Sequence, residues 1–142
     1  MKKGYILAIA LLAGGLTVGC DALFDTPEKA AKEVMESLFA ADIDKLKGRV
    51  CSARSDDLLK QSENQIKALK DIMKLAKVDL SGVSFTADIS GDTATVKASG
   101  KMKIEVSLAG QTQTQEQSLD NSPPFKLIRE GGTWKICDTF GG

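Results

Sequence analysis

The chain contains at residues 94–108 the stretch ATVKASGKMKIEVSL, in which apolar and polar residues alternate almost without a break. Such alternation places the two kinds of side chain on opposite faces of a β-strand, so the stretch predicts one long strand with a dry face and a wet face. Gly100 in its middle has no side chain to pack, and it predicts a bulge or bend. A long strand that bends in this way can curl around the helices of a small domain.

Further strand patterns lie on both sides of this stretch. Residues 83–90 alternate in the same way and lead into it through a turn at Gly91-Asp92. Residues 111–118 form a polar run, for which a weak edge strand and a disordered loop are both open interpretations. Residues 125–138 predict a hairpin that closes the sheet.

Helix patterns precede the strands. Thr26-Pro27-Glu28 is typical of a helix start and predicts a helix of about 14 residues. Asp42 predicts a short second helix, Arg49–Ser52 a short strand, and Ser55-Asp56-Asp57 the start of a longer helix to about Lys77. The apolar side of the long helix comprises Leu58, Leu59, Ile66, Leu69, Ile72, Met73 and Ala76. Because helices come first and strands afterwards, the predicted class is α+β.

Composition excludes several functional classes. The chain of 142 residues carries 19 Lys+Arg, 19 Asp+Glu and no His. A balanced charge is not the strongly basic signature of a nucleic-acid binder, so no nucleic-acid partner is expected. Without His, no imidazole base and no His-ligated metal is available. A glycine-rich phosphate loop and a metal-ligand spacing are also missing from the sequence, and we therefore predict no cofactor and no metal.

The first residues predict export. Lys2 and Lys3 precede an apolar run at residues 5–18, which matches the h-region of a secretory signal of about 7 to 15 residues. A membrane-spanning helix would need about 20 residues. We interpret residues 1–19 as a signal peptide, residues 20–25 as a tether and residues 26–142 as the domain.

The end of this segment resembles the bacterial lipoprotein signal. Val18-Gly19-Cys20 matches its small residues before a cysteine, whereas Thr17 stands where that signal prefers Leu. The resemblance implies cleavage between Gly19 and Cys20, lipid attachment at Cys20 and anchoring to a membrane of the bacterial cell envelope. Asp21 resembles an inner-membrane retention signal of enterobacterial lipoproteins. The alternative is an ordinary secreted protein in which Cys20 keeps its thiol.

Two further cysteines remain, Cys51 and Cys137. In an oxidising exported compartment a pair of cysteines predicts one disulfide. Two buried free thiols are the alternative, because cysteine also packs as a small apolar residue.

The order of elements, together with Thr26-Pro27-Glu28, Ala41-Asp42 and Trp134-Lys135-Ile136-Cys137, resembles the nuclear transport factor 2-like (cystatin-like) fold. More narrowly it resembles small bacterial lipoproteins of unknown function with such a domain. The resemblance covers about residues 26–138 and implies a cone, a curved sheet wrapped around the first helix with a cavity at its wide end. The candidate cavity-lining residues are Met35, Leu38, Phe39, Phe85, Met102, Leu127 and Trp134, for which ordinary core packing is the alternative.

These features favour a non-catalytic, membrane-tethered module that binds a partner protein of the envelope or a small apolar ligand. An isomerase- or hydrolase-type enzyme is the alternative. Enzymes of this fold place Asp, His or Tyr in the cavity, whereas the only acids in strands near the expected cone mouth here are Asp88, on the wet face, and Asp138. A dimer across the sheet is disfavoured by outward charges, because burying unpaired charges is costly. Those charges are Lys97, Lys101, Lys103 and Glu105.

Overall fold

The computed structural model describes residues 24–138 as an α+β fold, in which helices are followed by a strongly curled antiparallel sheet. The predicted class is confirmed at this level, whereas the signal peptide at 1–19, Gly19, Cys20 and Asp21 lie outside the described residues. The helices are α1 (Pro27–Phe39), α2 (Ile43–Lys47) and α3 (Ser55–Met73). The strands are β1 (Ala76–Asp79), β2 (Val83–Ser90), β3 (Thr93–Leu108), β4 (Gln111–Ser118), β5 (Phe125–Glu130) and β6 (Thr133–Ile136).

Helix α1 begins where the sequence predicts it. The Thr26 hydroxyl accepts a hydrogen bond from the Lys29 N–H at 3.2 Å, which satisfies one of the free donors of the first turn. Pro27 occupies the first helical position, where its missing N–H leaves no bond unmade. On the side of the helix that faces the core, Ala30, Ala31 and Val34 are fully inaccessible to solvent.

Helix α3 is shorter than the sequence predicts. It ends at Met73, and a turn leads directly into β1, so the predicted continuation to Lys77 is wrong. Residues 76–79 instead pair with residues 103–106 of β3, a long-range contact that the local apolar spacing cannot reveal. The end of the helix is largely exposed, and Ile72 is 60% exposed although its spacing predicts burial.

The sheet is organised around β3. Residues 93–100 of β3 pair with β2, and residues 93–96 also pair with β5, which in turn pairs with β6. Residues 101–108 pair with β4, and residues 103–106 also pair with β1. The polar run at 111–118 is thus an ordered strand, and its interpretation as a disordered loop is wrong.

The change of neighbours along β3 occurs at Gly100, as the predicted bend requires. Gly100 has φ +96°, in the region that favours glycine. A Cβ added there would lie within 2.3 Å of the Gly82 carbonyl oxygen. The close approach of these two backbones is therefore possible only without a side chain, and it allows the two halves of β3 to point in different directions.

The core divides into two clusters. The larger one joins α1, α2 and α3 to β3, β5 and β6 through Val34, Leu46, Leu58, Val96, Leu127 and Trp134, among others. The smaller one includes residues of β3 on both sides of the bend and comprises Met35, Leu80, Ala98, Met102 and Leu119. Phe85 and Phe125 are half-buried and contact both clusters, so the apolar interior is continuous.

The predicted disulfide between Cys51 and Cys137 is present, with a Cα–Cα distance of 5.3 Å. The strand predicted at Arg49–Ser52 is reduced to one parallel bridge between Val50 and Ile136. The N–H of Cys51 donates to the carbonyl of Ile136 at 2.9 Å in the same bridge. The segment before α3 is therefore held against β6 by both covalent and hydrogen bonds.

Candidate functional site

Arg49 ties the start of the domain to its last strand. Its Nε donates to Glu33 Oε2 at 2.7 Å, and its Nη1 donates to Asp25 Oδ2 at 2.7 Å and to the Trp134 carbonyl at 3.3 Å. Asp25 Oδ2 also accepts the backbone N–H of Trp134 at 2.7 Å. Asp25, Glu33, Arg49 and the Trp134 backbone together are called the Arg49 clamp below.

The charges of Asp25 and Arg49 are stabilised in the folded protein. Partial burial raises the pKa of Asp25, but the hydrogen bonds from Arg49 and from the Trp134 N–H, with the charge of Arg49, lower it further than burial raises it. Burial likewise lowers the pKa of Arg49, whereas Asp25 and Glu33 raise it above its ordinary value. The lowered pKa of Asp25 and the raised pKa of Arg49 both favour the charged forms, so this pair is ionised at neutral pH.

The clamp lies at one end of the long strand β3. In the ladder, Trp134 pairs with Arg129, whose N–H donates to the carbonyl of Asp92 immediately before β3. The turn between β3 and β4, at Ala109-Gly110, lies at the opposite end of β3, 16 residues along the strand. The chain before Asp25 therefore enters the domain at the end remote from this turn.

Glu130 forms a second polar connection beside the disulfide. Its carboxylate accepts the Ser52 N–H at 3.2 Å and the Ser52 hydroxyl at 3.1 Å. The hydrogen bond from the Ser52 N–H is the main reason that the pKa of Glu130 lies below its ordinary value. This contact joins the turn before α3 to the β5–β6 hairpin and is structural in character.

Residues 101–118, the second half of β3 with the edge strand β4, are called the outer ribbon; β1 pairs with residues 103–106 on the other side of β3. All eight residues of β4 are exposed to solvent. On one face of the ribbon the glutamines of β4 pair with apolar residues of β3, and on the other face hydroxyl and charged side chains pair. The glutamines are Gln111, Gln113, Gln115 and Gln117, opposite Leu108, Val106, Ile104 and Met102.

Exposed apolar side chains are found towards the tip of the outer ribbon. Leu108 is 59% exposed, at the last position of β3. Leu75 is 46% exposed, and its carbonyl accepts the N–H of Ser107 at 3.0 Å, which places the end of α3 beside the ribbon. This end of the molecule thus presents both apolar side chains and a solvent-exposed strand.

The seven candidate cavity residues are distributed over both core clusters. Met35, Met102, Leu127 and Trp134 are buried, and Leu38, Phe39 and Phe85 are half-buried. The surface pockets of the described residues include one of about 450 Å³ and one of about 580 Å³, and neither of these is lined by any of the seven. The larger pocket lies between α1 and β1, and the smaller one lies beside the Arg49 clamp. An open cavity lined by the seven remains a prediction.

The acidic residues considered for catalysis lie at the surface. Asp88 and Asp138 are exposed, and Asp138 forms an ion pair with Lys126 at 3.8 Å. Where the pKa of a carboxyl group is shifted, at Asp25, Asp79, Asp120 and Glu130, it is lowered. Residues 24–138 contain no group of three or more Cys, Asp or Glu side chains that could hold a metal ion. The sheet-face charges Lys97, Lys101, Lys103 and Glu105 are exposed.

Comparison with known proteins gives no family assignment. A scan against protein-family models found no match, and a search of curated proteins found none either. Within residues 24–138, no helix is long and apolar enough to cross a membrane.

The Arg49 clamp was not anticipated from the sequence. Its partners lie 16, 24 and 85 residues from Arg49 along the chain. No local spacing indicates such a contact, because it depends on how the last strand packs beside α1. The local signal is that Arg49 directly precedes Val50 and Cys51, two residues of types that are usually buried.

Proposed function

We propose that the protein is a lipoprotein of the bacterial cell envelope, anchored to a membrane through lipid on Cys20, and that its domain is a non-catalytic module that binds a partner protein. Its fold is the nuclear transport factor 2-like cone that the sequence resembles. The exposure of β4 along its whole length carries the binding part of the proposal. A strand that is exposed at every residue offers backbone groups and side chains to another protein.

The tether is short if Cys20 is the lipidated residue. Four residues, 21–24, lie between it and Asp25, which is held in the Arg49 clamp. The five Cα–Cα steps from Cys20 to Asp25 span at most about 18 Å when fully extended. The clamped end of the domain would therefore remain near the bilayer, and Phe24, which is 66% exposed, would lie between the clamp and the anchor.

The outer ribbon would then extend towards the envelope space. Strand β3 has 16 residues and would measure about 50 Å if straight, although the bend at Gly100 shortens that distance. Its far end carries the exposed strand β4 and the exposed side chain of Leu108. The sequence leaves two kinds of binding partner open, an envelope protein and a small apolar ligand. This arrangement favours the protein.

The anchor is tested by intact mass and by fractionation. We expect protein purified from membranes to have the mass of residues 20–142 plus acyl groups, and a Cys20→Ser variant to leave the membrane fraction. An unmodified mass for the membrane-derived protein would refute lipid anchoring. Alkylation before and after reduction would count the thiols of Cys51 and Cys137 in the same sample.

The orientation is tested with two single-site labels on the full-length protein in vesicles. Lys29→Cys places a dye in the first turn of α1, near the clamp, and Ser107→Cys places the same dye near the ribbon tip. Both residues are exposed. With a quencher on the lipid headgroups, we expect stronger quenching at position 29 than at position 107. Equal quenching would contradict a domain held by its clamped end.

A further inference from the structure

We propose that the partner of the outer ribbon is a second copy of this chain, which pairs antiparallel with β4 about a two-fold axis at Thr114. This inference rests on the proposed function in one respect: the membrane anchor supplies the local concentration that a small interface needs. The pairing would join the two sheets edge to edge into one continuous sheet.

The free edge of β4 can be identified from its hairpin. Ala109 and Gly110 both have positive φ, 50° and 79°, as in the two-residue turn that closes on a hydrogen-bonded pair, here Leu108 and Gln111. Every second residue of β4 counted from Gln111 then bonds to β3. The bond from the Leu119 N–H to the Gly100 carbonyl, at 2.9 Å, continues this series.

The remaining residues direct their backbone groups away from β3. These residues are Thr112, Thr114, Glu116 and Ser118. Within residues 24–138, β4 pairs with no strand other than β3, so these N–H and C=O groups form an open edge.

The edge of β4 lacks the usual features that prevent pairing. Exposed edge strands commonly carry a lysine, a proline or a bulge, each of which discourages another strand from adding. β4 has the sequence QTQTQEQS and contains neither lysine nor proline. Its one charge, Glu116, is neutralised within the ribbon by Lys101 at 3.4 Å.

Two copies of β4 are complementary to each other. A two-fold axis at Thr114 places Thr114 opposite Thr114 of the second copy and Gln113 opposite Gln115 of the second copy. Thr112 then lies opposite Glu116 of the second copy, so no like charges face each other. Because each pair joins residues of the same face, the glutamine face and the hydroxyl face of the ribbon both continue across the interface.

The axis at Thr114 pairs Thr112, Thr114 and Glu116, whose other side-chain contacts lie within the ribbon, and it leaves Ser118 out. Ser118, at the end of β4, donates its hydroxyl to Asp120 at 2.9 Å, and the backbone N–H of Asp120 donates to that hydroxyl at 3.4 Å. An axis shifted to Gln115 would require Ser118 as a pairing residue. The pairing also leaves the charged sheet face in water, including Lys103 and Glu105, which disfavour a face-to-face dimer.

The interface is small, which is why the membrane anchor matters. One added strand of eight residues buries less area than the about 1,200 Å² at the lower end of stable complexes. Confinement of both copies to one membrane raises their effective concentration without any new contact. We therefore expect the dimer on membranes and a monomer in dilute solution.

Cysteine crosslinking of the full-length protein in native membranes tests the pairing and its register. In an antiparallel pair the facing Cα atoms are about 4.5 to 5.5 Å apart, within the about 4.4 to 6.8 Å that a disulfide accepts. We expect mild oxidation to convert a Thr114→Cys variant to a disulfide-linked dimer at least five-fold more efficiently than a Thr86→Cys variant. Thr86 is an exposed threonine on β2, a strand that also pairs only with β3 among the described strands.

A second pair of variants distinguishes the proposed register from random collision. Thr112→Cys alone is expected not to crosslink, because two copies of residue 112 would be about 14 Å apart. Thr112→Cys expressed together with Glu116→Cys is expected to crosslink.

The pairing is overturned if Thr114→Cys crosslinks no better than Thr86→Cys, if Thr112→Cys alone crosslinks as well as Thr114→Cys, or if residue 114 crosslinks to a different protein. Fractionation of the same samples separates this result from the anchor. Absence of crosslinks in protein that does reside in membranes overturns the pairing alone, whereas protein that is absent from membranes overturns the proposed anchor.

Discussion

Replacing Arg49 by methionine should destabilise the domain far more than removing an exposed lysine. Methionine keeps most of the aliphatic volume of arginine and removes its charge and its donors. Asp25 and Glu33 lose their cationic partner, and the Trp134 carbonyl loses one donor. The side chains of Arg49 and Asp25 are only 11% and 17% exposed, so water replaces the lost contacts poorly.

The expected loss lies between two known limits. Removal of one partner from a fully buried ion pair costs about 3 to 5 kcal/mol, and an exposed pair is worth under about 1 kcal/mol. The contact with Glu33, which is 39% exposed, belongs near the lower limit, and the contact with Asp25 lies nearer the upper one. We therefore expect Arg49→Met to lower the free energy of unfolding by about 2 to 3 kcal/mol.

Urea unfolding of the oxidised protein would measure this loss. Trp134 is the only tryptophan and is 2% exposed, so its fluorescence reports the unfolding of β6. The matched control is Lys126→Met, because Lys126 is 72% exposed and pairs with Asp138 at 3.8 Å. Its expected loss is under about 0.5 kcal/mol. If the two variants lose the same free energy, the Arg49 clamp does not stabilise the domain as argued here.

Three further predictions concern the bend, the clamp carboxylate and a buried hydroxyl. Gly100→Ala should lower the stability by more than about 2 kcal/mol, since it combines a positive φ with a backbone clash; an unchanged urea midpoint would contradict the argument for the bend. The pKa of Asp25 is lowered on folding, so the stability that its charge contributes is present above about pH 4 and is lost as the pH falls through the folded-state value. Asp25→Asn should flatten this acid dependence of the urea midpoint, and a parallel curve would show that other groups cause it. The Ser62 hydroxyl is buried and has no hydrogen-bond partner within the described structure, so Ser62→Ala should leave the stability unchanged or raise it by up to about 1 kcal/mol. Ser37→Ala, which removes a bond to the Glu33 carbonyl at 2.6 Å, is its control and should lose about 1 kcal/mol in the same thermal or urea assay.

The candidate binding surface could be only partly predicted from the sequence. The pattern at 111–118 allowed a strand or a loop, because polar residues without alternation of hydrophobicity carry no information about pairing. In the structure residues 111–118 form a strand, because the tight turn at Ala109-Gly110 brings them beside β3, with which all eight residues pair. The error at residues 76–79 has the same origin, because an apolar spacing suited to a helix was overruled by pairing with residues 103–106.

The sequence alone determined one helix start, the longest strand and the disulfide. The start of α1 at Thr26-Pro27 and the long strand with its bend at Gly100 follow from residue type and short-range spacing, and the pairing of Cys51 with Cys137 was predicted from the cysteine count. These features depend on forces that act over a few residues or, for the disulfide, on the number of cysteines in the domain.

Only the tertiary structure decided which distant residues meet. It joined Arg49 to Asp25 and Trp134, ended α3 early to supply β1, and left β4 exposed at the end of the molecule opposite the Arg49 clamp. The physical reason is that long-range pairing depends on the shape of the assembled core, and many sequences with the same local pattern could satisfy their hydrogen bonds in other ways.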